Sequence, residues 1–147
     1  MSRFGEIMRN VIIAGRTGSD LYNRVFVVSA YGGITNLLLE NKKTGAPGVY
    51  GAFAKGDPRW RDGLEAVRAR MLEFNRSFAD IGLDQKLADS FVHERLNGIR
   101  ACLEDVQRIG SYGHFPKHTY LAATRELLSA VGEAHSAYNS TLILQNQ

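Results

Sequence analysis

Apolar side chains recur at helical spacing over most of the chain, and the places where that spacing fails are the informative ones. Phe4, Ile7, Met8, Val11 and Ile12 share one helical face. Ser2 stands where an N-cap would, and Gly15 marks the expected end of this first helix. Residues 24–29, Arg-Val-Phe-Val-Val-Ser, break the pattern with a continuous β-branched and aromatic run. Such a run predicts a strand buried on both faces, as in parallel sheets. Residues 30–33 then turn the chain, and residues 34–40 read as a short helix. Residues 41–58 hold Gly45, Pro47, Gly48, Gly51 and Gly56 and read as a long exposed connection within one domain. Three helices are expected after it. Trp60, Leu64, Val67, Met71, Leu72 and Phe74 define the first, and Leu87, Phe91, Leu96, Ile99, Leu103 and Val106 the second. Tyr120, Leu121, Leu127, Leu128 and Val131 define the third, opened by Pro116. Gly132 and Glu133 interrupt this last pattern before Ala134 resumes it.

This layout predicts an α/β fold that is helix-rich, with one clear buried strand and no neighbour for it. Buried backbone groups need partners, and a parallel strand reaches its neighbours through crossover helices. The expectation is therefore a partial domain whose other sheet strands lie outside residues 1–147. The competing reading makes residues 25–28 an interior helical segment of an all-helical bundle.

Composition narrows the class without naming a function. With 147 residues, 44% hydrophobic and 22% charged, the chain suits one soluble globular core. Its net charge of +3 comes from Lys and Arg interspersed with Asp and Glu. No basic stripe tracks a nucleic-acid backbone, so no nucleic-acid partner is expected. No apolar stretch approaches membrane-spanning length, so no membrane partner is expected either, and a cytoplasmic location fits. Cys102 is the single cysteine and reads as a small core residue.

The segment most suggestive of chemistry is residues 27–38, a strand, a small-residue turn and a helix start. Ligands in open α/β sheets collect beyond the carboxyl ends of strands. Glycines allow close backbone approach, and the first amides of a helix favour an anion. Ser29 and Thr35 add hydroxyls. A plain turn with Thr35 near the helix start is the competing reading. The remaining candidates are structural. His114 and His118 lack a nearby acid or thiol cluster, so no metal site is expected. His93 and His135 read as surface or satisfied residues, Trp60, Met71 and Phe74 as core, and Lys42 with Lys43 as a solvated pair.

The run V-S-A-x-x-G-x-T-N-L-L over residues 28–38 resembles the second conserved block of the aspartokinases, in the amino-acid kinase family. Met1, Ser2, Arg3 and Phe4 resemble the start of the helix after that family's first block. Residues 132–137, Gly-Glu-Ala-His-Ser-Ala, resemble a later block in which a Gly-Glu pair opens a helix. The stretch from Lys43 to Tyr50 and residues 112–115 look most like aspartokinases associated with ectoine production. The resemblance implies transfer of the ATP γ-phosphoryl group, with Mg2+, to the side-chain carboxylate of L-aspartate. It implies substrate-binding roles for Ser29, Ala30 and Thr35, and for Glu133 against the α-ammonium group; it assigns no catalytic residue. Read without the resemblance, Glu133 is an acid favoured near a helix N-terminus.

No lysine with paired glycines precedes Met1, and the family's nucleotide-binding half does not follow. Residues 1–147 are therefore expected to be an incomplete N-terminal, aspartate-binding part of such a kinase domain, inactive alone. Association as a homo-oligomer or with full-length kinase subunits accompanies this reading. The alternative is a non-catalytic helical binding module.

Overall fold

The computed structural model describes residues 3–114 and 116–146. The expected Ser2 cap, the first two residues of the opening block and Phe115 lie outside them. Six α-helices organise the described chain: α1 (Arg3–Ile7), α2 (Ile34–Leu38), α3 (Val49–Ala54), α4 (Trp60–Ser77), α5 (Gln85–Ser111) and α6 (Lys117–Gln145). A π-helical stretch, Met8–Ile13, continues α1 and ends where Ala14 turns left-handed at φ 44°. Asp84 caps α5 by accepting a 3.0 Å bond from the Leu87 amide.

α5 packs between α4 and α6, and the short helices α2 and α3 both seat against α4 and α6. Two apolar clusters result. The larger joins Ile34, Leu38, Val49, Phe53, Trp60 and Leu64 to Leu96, Leu103 and Leu128. The smaller gathers Met8, Ile12, Phe78, Leu83, Leu142 and Ile143, with Tyr31 and Phe74 packed against both. Surface ion pairs such as Arg100–Glu65 at 2.5 Å and Arg61–Glu104 at 3.4 Å link α4 to α5. Half-exposed pairs of this kind contribute little beside the buried leucines. Among the described residues, no helix is long and apolar enough to cross a membrane.

The expected buried strand does not form. The structure is 72% helical, and no strand occurs among the described residues, only an isolated bridge between Glu40 and Pro47. Residues 24–30 are irregular and unpaired, with Val25 and Val27 more than nine-tenths exposed. A strand needs a hydrogen-bonding neighbour, and no described segment supplies one. The α/β expectation is corrected on that ground, and the interior-helix reading fails for the same residues. What holds the segment is Arg24, whose Nη2 donates to the Ile12 carbonyl at 2.5 Å. Its guanidinium lies 4.9 Å from the centroid of the Phe26 ring.

Three further expectations change. Residues 41–58 contain α3, which buries Val49, Ala52 and Phe53. α6 runs through Gly132 and Glu133 without a break. Cys102 is exposed, because residue 103 and not 102 turns towards the core.

Candidate functional site

The turn at residues 30–33 is positioned from two sides. Gly33 takes φ 87°, which glycine adopts without strain, and this left-handed residue launches α2. Ile34 and Leu38 on α2 are fully buried. Behind the turn lies α6, where Gly132, His135, Ser136 and Asn139 share one face at helical spacing. A methyl carbon at Gly132 would come within 2.8 Å of Ala30 Cβ and 3.1 Å of Ile34 Cγ2. Glycine here therefore serves close packing of the turn on the helix, which explains why α6 tolerates it mid-helix.

Tyr31 is the next point of contact. Its ring stacks on Phe74 at 4.8 Å and meets the edge of His135 at 5.3 Å. Phe78 and Phe4 complete the cage at 5.2 and 6.1 Å. Burial pushes the Tyr31 phenol above its ordinary range, opposed in part by Asn139. The hydroxyl nonetheless closes no hydrogen bond of good geometry.

Under this cage lies a buried polar cluster. Asn75 on α4, His135 and Asn139 on α6 are each fully buried. His135 Nε2 lies 2.7 Å from Asn75 Oδ1, and Asn139 Nδ2 donates to the same oxygen at 2.8 Å. Because Oδ1 can only accept, Nε2 carries the imidazole proton and Nδ1 is the bare nitrogen. Asn75 Nδ2 in turn donates to Asp89 on α5 at 2.8 Å. Burial lowers the His135 pKa to about 4, against a smaller opposing pull from the Asp89 charge. Among the described residues, His135 Nδ1 and Asn139 Oδ1 have no hydrogen-bond partner.

The four residues expected to bind substrate gather around the contact of the turn with α6. Ala30 is half-buried and lies against Gly132. Ser29 precedes it and is exposed, while Thr35 is half-buried in the first turn of α2. Glu133 follows Gly132 and is half-buried, with Oε2 enclosed and without a hydrogen-bond partner among the described residues. An enclosed carboxylate oxygen without a donor is costly, and a cationic group would relieve it. The structure thus brings the two sequence blocks together, although no hydrogen bond joins the four residues' side chains.

Along its whole length the chain is 46% identical to the aspartate kinase Ask_Ect of Stutzerimonas stutzeri (strain A1501). The chain is related to the aspartate kinases. It spans about a third, 31%, of the length of that enzyme. No family model matches the chain, and no solved structure matches it significantly.

A cleft of about 590 Å³ opens beside the aspartate-kinase-like block, between Gly32, Gly33 and Asn36 on one wall and Asp57, Arg59 and Arg70 on the other. None of the four candidate residues borders it. Its cations are already engaged: Arg59 pairs with Asp57 at 2.6 Å and Arg70 with Glu73 at 2.5 Å. The Arg59 hydrogen bonds hold the Asp57 carboxyl well below its usual range. Among the described residues, no three His, Cys, Asp or Glu side chains cluster as a metal site.

The sequence reading missed Asn75, Tyr31 and Asn139, and placed His135 among surface or satisfied residues, whereas it is buried with one nitrogen bonded and one bare. The available signal was spacing: positions 132, 135 and 139 fall on one helical face, so a polar residue there sits opposite whatever that face covers.

Proposed function

We propose that this chain supplies the aspartate-binding part of an aspartate kinase. In that enzyme, an oxygen of the L-aspartate side-chain carboxylate attacks the ATP γ-phosphorus as the bond to the β-phosphate oxygen breaks. The products are 4-phospho-L-aspartate and ADP. Ser29 and Thr35 offer hydroxyl donors to a substrate carboxylate, Ala30 sets the turn, and Glu133 takes the α-ammonium group. Chemistry of this kind depends on positioning and charge neutralisation rather than on a covalent protein nucleophile. The described residues present no cluster suited to Mg2+. In this reading nucleotide and metal handling falls to the remaining length of a full enzyme, and the chain alone forms no acyl phosphate. The first step of aspartate-family biosynthesis, in an ectoine-associated branch, is the corresponding physiological role.

The observation that carries this reading is whole-chain relatedness to an aspartate kinase. The enclosed, unpartnered Glu133 oxygen beside the Ala30 contact is consistent with it. The test is ligand-induced thermal stabilisation. L-aspartate should raise the Tm of the chain, and L-malate, which lacks the ammonium group, should not. Thr35→Val and Glu133→Gln should each abolish the rise. An unchanged rise in both variants, or none in the native sequence, refutes the site.

A further inference from the structure

The buried polar cluster has no part in the chemistry just described, yet it sits directly beneath the turn that carries it. Asn75, His135 and Asn139 are fully buried, and hydrogen-bonding groups converge there from α4, α5 and α6. Polar groups so placed are costly in a helical core that leucines could fill. The cluster touches the turn through Tyr31. The His135 ring meets Tyr31 edge-on at 5.3 Å, and Asn139 lies close enough to the hydroxyl to oppose its rise in pKa. One step along the same face of α6, Gly132 receives Ala30. A directional network specifies one arrangement more strictly than apolar packing does, because its hydrogen bonds are made in that geometry and lost when the side chains shift.

We propose that His135 and Asn139, held in register by Asn75, are positioning residues that fix the Ala30–Tyr31 corner and so set where the Ser29 and Thr35 hydroxyls stand. Their consequence for substrate rests on the aspartate-binding reading; their effect on the turn does not. Asn75 acts as the shared acceptor, which dictates that His135 presents its Nε2 proton inward and keeps the ring plane perpendicular to Tyr31. Asp89 fixes Asn75 from the other side by accepting from its amide. The order of the turn is thereby set by α4 and α6 together.

Amide hydrogen exchange of the whole 147-residue chain, read by NMR without aspartate, tests this. The reporting amides are Ile34, Leu37 and Leu39, bonded to the carbonyls of Tyr31, Gly33 and Thr35 at 3.1, 3.2 and 2.9 Å. In His135→Leu and Asn139→Ala these amides should exchange at least roughly tenfold faster, while the amides inside α4 and α5 stay within about threefold of the native rates. His135→Gln, which keeps an N–H donor for Asn75, should restore most of the protection. A uniform change across all helices would reduce the cluster to general core stability and overturn the proposal, as would unchanged rates at the three reporters. Unfolding of His135→Leu would leave Asn139→Ala and His135→Gln to decide in the same way. Because no aspartate is present, a negative result here leaves the substrate reading standing, and a chain that fails to bind aspartate leaves this one standing.

Discussion

Gly132→Ala sets two effects of opposite sign against each other, and the structure says which prevails. Alanine in a helix interior is favoured over glycine by about 1 kcal/mol. Gly98, exposed in the middle of α5, has nothing within 4 Å of the place an alanine methyl would take. Gly98→Ala should therefore show that gain in full. At Gly132 the new carbon would stand 2.8 Å from Ala30 Cβ and 3.1 Å from Ile34 Cγ2. Carbon atoms in favourable contact keep roughly 3.5–4.0 Å, so the corner must retreat by on the order of 1 Å. Overpacking of this size costs about 1–3 kcal/mol. Gly132→Ala should then be neutral to about 2 kcal/mol less stable than the native chain, and about 1–3 kcal/mol below Gly98→Ala. At roughly 3 °C per kcal/mol for a chain of this size, the two variants should differ in Tm by about 3–9 °C. Far-UV circular dichroism during thermal and urea unfolding measures both. If Gly132→Ala proves as stable as Gly98→Ala, Ala30 does not rest on α6, and the gathering of the two sequence blocks is wrong.

Two further outcomes follow from burial. His135 titrates near 4 when folded and near 6.5 in an unfolded chain, so acid favours unfolding. Its contribution is whole above about pH 6.5 and is lost as the pH falls towards 4, by up to about 1.4 kcal/mol per pH unit. Urea midpoints between pH 7.5 and 4.5 should fall more steeply for the native chain than for His135→Gln; equal slopes would refute the buried neutral imidazole. Val27 is 95% exposed whereas Leu96 is fully buried. Val27→Lys should leave stability within about 0.5 kcal/mol and Leu96→Ala should cost about 2–5 kcal/mol, and a comparable loss in both would restore a buried role to residue 27.

The long helices were legible because their apolar residues repeat with the helical period: Trp60, Leu64, Val67 and Met71 on α4 and Leu96, Ile99 and Leu103 on α5 are all buried. The run at residues 24–29 was misread because hydrophobicity reports a preference for burial, whereas a strand also requires a backbone partner that no local pattern encodes. α3 was hidden by Gly48 and Gly51. Both glycines answer close approaches from α2 and its neighbours: Gly48 backs onto the Leu37 carbonyl, and Gly51 lies against Pro47 Cβ. Gly132 misled in the same way, since a glycine required by packing across helices looks, in sequence, like one that ends a helix. Of the candidate site, Ser29, Ala30, Thr35 and Glu133 came from resemblance to a family. The cluster joins Asn75 to His135 and Asn139, 60 and 64 residues further along the sequence, and only the tertiary fold brings them together.

Residues 24–30 carry a consequence for the life of the polypeptide in a cell. An open stretch of apolar backbone is the shape that protease clefts grip, and its free amides and carbonyls equally invite a neighbouring chain to zip onto it. Cleavage and clumping therefore compete for the same few residues. Which prevails depends on concentration: dilute chains meet a protease first, crowded ones meet each other. Arg24 at one end and Ser29 at the other flank the run, so the apolar surface open to either fate lies in Val25, Phe26 and Val27.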